Sequence, residues 1–302
     1  MFGVLNLNKP SEKTSRDVVN IIQRIVKPAK VGHAGTLDPM ATGVLLVCVG
    51  PATRLISLLQ QAPKTYVAEF RFGERSDTDD ATGTVEYVHD ATEVSESQLL
   101  AALQTYVGTI AQVPPAFSAV KVQGQRAYAK ARRGEEVQLT AKQVTVHAID
   151  LLEYSWPVAR LSIRCGSGTY IRSIARDLGV QLGCGGLMSA LERTAIGEFN
   201  ITNAVSAADL NAENIAEHIT DAIRIVSHLP QYRCSADEVA LLKAGRILNV
   251  VPEQLRVQSP AANDATVAVV CSEGMRLLAM GEIIDSGERI QPRAVFCHDR
   301  KS

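Results

Sequence analysis

A chain of 302 residues with 46% apolar side chains can bury a large core, as one big domain or as two. The formal net charge of −1 excludes a globally basic surface, so any nucleic-acid contact has to come from local clusters. Six cysteines lie scattered with no Cys-x-x-Cys pair and no histidine pattern beside them. Their spacing gives no zinc site and no disulfide framework. The opening residues lack a basic leader, and the apolar runs are too short to cross a bilayer. No membrane contact, reduced thiols and a cytoplasmic location are the expectation.

In chain order, Gly3 to Leu7 reads as a short strand. After the cap signal Thr14-Ser15, the residues Val18, Val19, Ile22, Ile25 and Val26 recur at helical spacing until Pro28 stops them. Gly43 to Val49 is a continuous apolar run of strand length, which suits a sheet covered on both faces. Leu55, Ile56, Leu58 and Leu59 then predict a helix. Lys64 to Phe72 alternates, placing Tyr66, Ala68, Phe70 and Phe72 on the inward face. Ser95 with Gln98 predicts a capping box on a helix that runs to about Gly108. The mixture lacks a regular βαβ rhythm, which points to an α+β fold.

Asn211 to His228 carries a helical apolar pattern through Ile215, Ile219, Ala222, Ile223 and Val226, and Leu229-Pro230 marks a boundary. Beyond it, Ser235 and Glu238 predict a capped helix closing at Gly245. Strand candidates follow at Thr266 to Cys271, Arg276 to Met280 and Ala294 to Cys297, as in a small barrel-like unit.

Three constellations can carry chemistry. The first is His33-Ala-Gly-Thr-Leu-Asp38-Pro39, continuing to Gly43. Pro39 forces Asp38 out of the α region and two glycines bracket the segment, so its carboxylate is held in place. A fixed, ionised carboxylate suits attack on an electron-poor carbon of a sugar or base. Asp38 capping a helix that starts at Pro39 is an equally ordinary use of the pair. The second is the basic run Lys121, Arg126, Lys130, Arg132 and Arg133, with Tyr128 interleaved and Phe117 before it. With Arg126, Lys130 and Arg133 on one helical face, it serves either as an RNA-phosphate and stacking surface or as an ordinary solvated helix.

The third is a strand passing through Gly166-Ser-Gly-Thr-Tyr170 into a helix with Ile171, Ile174, Ala175 and Leu178 inward. It is neither a dinucleotide fingerprint nor a phosphate loop. Arg172 stands in the first helical turn, where the helix dipole disfavours a cation. A buried acid such as Asp38 accounts for it, as does a surface carboxylate. Lys9, His33 and Asp80 are further polar groups at strand ends and loops. Each alone fits an ordinary loop role.

Together these residues resemble the TruB family of tRNA pseudouridine synthases. The resemblance rests on Gly3-Val-Leu-Asn-Leu-Asn-Lys-Pro10 with Thr14-Ser15, Gly32-His-Ala-Gly-Thr-Leu-Asp38-Pro39 and Lys64-Thr-Tyr66. Val113-Pro-Pro-Ala-Phe-Ser-Ala-Val-Lys121 and Gly168-Thr-Tyr-Ile-Arg172 complete it, in the family's order. It implies a pseudouridine synthase fold with a central mixed, mainly antiparallel sheet over residues 1–228. A thumb loop at about 115–142 and a PUA-like RNA-binding domain at 229–302 are implied too. It further implies that Asp38 is the essential carboxylate, that Tyr66 stacks on the target base and that Arg172 pairs with Asp38. Leu191 is expected to line the pocket and His33 to help extrude the base. Lys9, Asp80 and Tyr170 are expected in pocket or substrate contact, and Lys121, Arg126 and Lys130 on the RNA. Glu192 departs from the pattern, at a place where a basic residue is implied.

The implied reaction converts the uridine at position 55 of the tRNA T-loop to pseudouridine. The base is flipped out, the C1′–N1 bond is cut, and C1′ rejoins at C5. No atom is gained or lost, so neither a redox cofactor nor a metal is expected. Addition of Asp38 to the base, capture of C1′ and removal of a ribose proton are each compatible with a fixed carboxylate. The expected partner is the tRNA T-arm, read by loop shape, stacking and phosphate contact, with the protein a monomer needing no protein partner. Two other readings are the catalytic subunit of an RNA-guided pseudouridylase and a tRNA-folding chaperone.

Overall fold

The computed structural model describes residues 1–118, 120–122, 125–127, 133, 138–257, 265–273 and 275–297. Strand β1 (Gly3–Lys9) leads into helix α1 (Ser15–Ile25), then β2 (Val31–His33), β3 (Thr42–Val49), α2 (Ile56–Gln61) and β4 (Lys64–Phe72). A hairpin of β5 (Glu74–Ser76) and β6 (Val85–Tyr87) precedes α3 (Glu96–Gln104) and β7 (Gly108–Gln112). Short β8 (Lys121–Val122) and β9 (Gln125–Arg126) pair with each other. Long β10 (Lys142–Ser155) and β11 (Val158–Cys165) are followed by α4 (Ile171–Gln181) and β12 (Gly186–Ile196). Three short strands come next, β13 (Phe199–Asn200), β14 (Val205–Ser206) and β15 (Ile219–Asp221), and then α5 (Ala222–Ile225).

The main sheet runs β14-β1-β3-β12-β4-β11-β10-β7, with β2, β13 and β15 pairing beside this path. It is mixed and mainly antiparallel, its parallel pairs being β1 with β14 and β3 with β12. The apolar run of β3 is covered on both faces as expected, and Val44 to Val49 have no exposed surface. Burying each such side chain contributes about 1.5–3 kcal/mol. One layer of α1 packs through Val18, Val19 and Ile22 on Leu45 and Val47. On β4, Tyr66, Ala68, Phe70 and Phe72 point into a second core with α3 and the Ile171, Ile174, Ala175 and Leu178 face of α4.

The C-terminal unit comprises β16 (Gln231–Arg233), α6 (Ala236–Lys243), β17 (Leu248–Asn249), β18 (Leu255–Arg256), β19 (Thr266–Val270), β20 (Leu277–Ile284) and β21 (Arg289–Val295). Its six strands form a second sheet in the order β17-β21-β20-β19-β16-β18. Ala268, Val270, Leu277 and Met280 join the core that holds Val44, Leu46 and Leu229, so apolar packing is continuous between the two sheets.

The expected capping boxes form at Ser95 with Gln98 and at Ser235 with Glu238, and the cap signal at Thr14 proves to be a third box, closed by Asp17. Three expectations are corrected. Helix α3 stops at Gln104, short of Gly108. Asn211 to His228 is not one helix: Ile219–Asp221 leaves it to pair antiparallel with Gly3–Leu5, and Asp221 then caps α5. The backbone of Arg126 lies on a strand opposite Lys121, so it shares no helical face with Arg133.

Candidate active site

The segment after β2 turns at Gly35, whose φ of 114° favours glycine, and enters β3 at Thr42. No helix starts at Pro39, so Asp38 is not an N-cap. Its carbonyl instead accepts from Ala41 N (3.1 Å) in a turn. The turn is clamped from below. Leu37 N donates to Ser15 Oγ (2.9 Å), and the Ser15 hydroxyl donates back to the Leu37 carbonyl (3.2 Å). The fully buried Lys9 ammonium donates to the carbonyls of Pro10 (2.8 Å), Lys13 (2.6 Å) and Pro39 (3.0 Å). Burial lowers the Lys9 pKa to about 8, against the pull of Asp38.

Arg172 reaches this turn from the start of α4. Its Nη2 lies 3.2 Å from Asp38 Oδ2 and donates to the Phe117 carbonyl (3.2 Å). Its Nη1 donates to Asp80 Oδ2 (3.1 Å) and to the Thr78 carbonyl (3.0 Å). Two acids thus offset the unfavourable helix dipole. Asp80 in turn accepts from Thr82 N (2.9 Å), Thr82 Oγ1 (2.5 Å) and Thr78 Oγ1 (2.8 Å), all on Oδ1. The helix itself is anchored by Gln112, which accepts from Tyr170 N (2.8 Å) and donates to the Tyr170 carbonyl (3.1 Å).

Asp38, Tyr66, Tyr170, Arg172 and Leu191 line one cleft of about 600 Å³, a size that takes a small ligand or one nucleoside. The Asp38 side chain keeps 38% of its surface exposed while its arginine partner keeps 8%. Burial raises the Asp38 pKa and Arg172 opposes the rise. Burial likewise raises that of the Tyr66 phenol, and the Arg193 guanidinium beside it opposes.

Not every predicted residue reaches the cleft. Lys9 sits beneath the Asp38 turn, and Asp80 stands behind Arg172, 3% exposed and fully engaged. His33 closes β2 outside the cleft lining, its Nδ1 buried and its pKa lowered by burial and then by Arg16. The backbones of Lys121 and Arg126 pair a few residues beyond Ser118, and Lys130 lies outside the described residues. Glu192 faces a separate groove with Glu12 and Glu69.

Two charged cleft residues were missed in the sequence. Arg193 is 2% exposed and donates to the carbonyls of Val44 (2.7 Å), Gly35 (3.1 Å) and Thr36 (3.4 Å), and its guanidinium lies beside the Tyr66 phenol. Lys64 donates to the Gln60 carbonyl, with its pKa lowered by burial to about 8. Strand periodicity holds the signal for both, since each lies two residues from a predicted site residue, Leu191 or Tyr66.

A fixed carboxylate paired with a guanidinium, next to a buried phenol and an apolar wall, can hold a flat ring against a nucleophile. Residues 23–171 match the N-terminal domain of the TruB family pseudouridylate synthase, and residues 172–229 match the tRNA pseudouridylate synthase B C-terminal domain. The chain belongs to the TruB family. This TruB-family chain is 40% identical over 281 residues to a tRNA pseudouridine synthase B of Dehalococcoides mccartyi, covering 90% of this chain and 93% of the relative. It is 37% identical over 308 residues to that of Prochlorococcus marinus, covering 99% and 98%. A solved Cbf5-Nop10-Gar1 complex holds a chain of the same fold, with a TM-score of 0.75 and 26% identity over 97% of this TruB-family chain and 84% of that chain. Among the described residues no helix is long and apolar enough to cross a membrane.

Proposed function

We propose that this chain isomerises the uridine at position 55 of the tRNA T-loop to pseudouridine, with Asp38 as the catalytic carboxylate. The observation that carries the reading is the Asp38–Arg172 pair at 3.2 Å in a cleft walled by Tyr66 and Leu191. A flipped uracil stacks on Tyr66 and lies against Leu191 while Asp38 meets the sugar or the base. Arg172 keeps Asp38 ionised and aimed. Arg193 holds the Gly35–Thr36 backbone in place and sets a positive charge beside the Tyr66 phenol. The relatives' shared name, tRNA pseudouridine synthase B, supports tRNA as the substrate.

Base extrusion costs a few kcal/mol, to be met by contacts that RNA makes elsewhere on the protein. The thumb at about 115–142, with Lys121, Arg126 and Lys130, and a PUA-like domain at 229–302 supply them in this reading. The protein acts alone, as a monomer in the cytoplasm. The test is Asp38→Asn on a bare T-arm transcript, followed by tritium release from labelled uridine. Binding is retained and turnover is lost. Full turnover in that variant ends the assignment, and failure of the purified wild type on bare RNA ends the stand-alone reading.

A further inference from the structure

We infer that the exposed face of α1 is a phosphate-binding track that holds the RNA backbone beside the Asp38 cleft. This rests on the proposed RNA substrate. Lys13, Arg16, Arg24, Lys27 and Lys30 are all exposed, and among the described residues none of the five makes an ion pair. The acid among them, Asp17, is spent on the helix cap, accepting from Thr14 N (2.9 Å) and Thr14 Oγ1 (2.6 Å). Arg16 and Arg24 stand two four-residue steps apart through Asn20, on the side of α1 opposite the buried Val18, Val19 and Ile22, with Lys13 just before the helix and Lys27 just beyond it. From Arg16 to Arg24 the stripe spans about 12 Å at 1.5 Å per residue.

The stripe is registered to the cleft by buried contacts. Ser15, 2% exposed, exchanges two hydrogen bonds with Leu37, the residue before Asp38. The Lys9 ammonium joins the Lys13 carbonyl to the Pro39 carbonyl, the residue after it. The start of α1 therefore cannot shift without moving the catalytic turn. Across Leu191, the neighbouring groove carries Glu12, Glu69 and Glu192 against Arg160, whose guanidinium is paired with Glu153, so its acidic balance repels phosphate. A strand that delivers its base to Asp38 is attracted to the α1 side and kept off the other.

The test is the triple variant Arg16→Gln, Arg24→Gln, Lys27→Gln, in which glutamine keeps helix propensity. Binding of unmodified T-arm RNA is measured across a potassium chloride series, in an Asp38→Asn background so that no turnover intervenes. The slope of log Kd against log salt is expected to fall by about 0.7–0.9 for each phosphate that the variant no longer neutralises, and Kd at 0.1 M salt to rise at least about tenfold. In the active background KM rises with kcat within about twofold. Lys27→Gln with Lys30→Gln, which lies beyond the helix end and leaves its folding untouched, lowers the slope too. Arg75→Gln, whose side chain pairs with Glu86 on the β5–β6 hairpin, leaves it unchanged. An unaltered slope and Kd in both multiple variants overturn the inference while the enzyme stays active. A wild type that makes no pseudouridine in T-arm RNA overturns the proposed function instead.

Discussion

Arg172 and Asp80 form an ion pair of 3.1 Å in which the two side chains keep only 8% and 4% of their surface exposed. The same guanidinium holds Asp38 at 3.2 Å, on the side open to the cleft. Asp80 is thus the fixed end of a relay: it sets the arginine, and the arginine sets the Asp38 carboxylate, the group proposed to act on the nucleoside.

Asp80→Asn removes that fixed end and leaves a buried guanidinium with one acid in place of two. Breaking a buried pair costs about 3–5 kcal/mol, and the remaining Asp38 contact keeps the loss toward the lower figure. Denaturant unfolding should show this loss, and kcat should fall more than tenfold as Asp38 loses its aim. A variant with wild-type stability and turnover contradicts the relay.

In the proposed reaction, activity depends on the ionised form of Asp38. Burial raises its pKa above the usual carboxylate value of 3.8, and Arg172 holds the rise in check. Turnover is therefore present at neutral pH and lost as pH falls through this raised pKa. Arg172→Met removes the opposing charge, so the acid limb of kcat moves to higher pH, on top of a lower plateau. A pH profile from 4 to 8 on the two proteins reads the shift, and an unmoved limb would contradict it.

Lys9 makes a separate pH prediction, for stability. Its pKa is lowered from 10.5 to about 8 in the fold, so the unfolded chain binds the proton more tightly. The cost of burying the ammonium is present below pH 8 and is relieved as pH rises to about 10.5, which makes Lys9 contribute a rising stability over that window. Lys64, also lowered to about 8, contributes in the same direction. Lys9→Met should flatten this rise and destabilise at pH 7, because three carbonyls lose a donor. Urea unfolding at pH 7, 8, 9 and 10 measures both effects, and an identical slope in the variant rules out the titration.

The amino-acid sequence alone carried whatever rests on neighbours within a turn or a strand. Two capping boxes, the cap at Thr14, the inward face of Lys64–Phe72 and the buried face of α4 depend on spacings of two to four residues, and each stands in the fold as read. The tertiary structure decided what depends on residues far apart in the chain. Ile219–Asp221 became a strand because the edge of β1 needed a pairing partner, which outweighs helical periodicity. Asp38 became a turn residue because Lys9, Ser15 and Arg172 hold it there, where local preference allowed a helix cap. Asp80 moved behind the cleft and Arg193 into it for the same reason: a buried charge goes where partners from several strands can replace water, and a list of local preferences does not contain those partners.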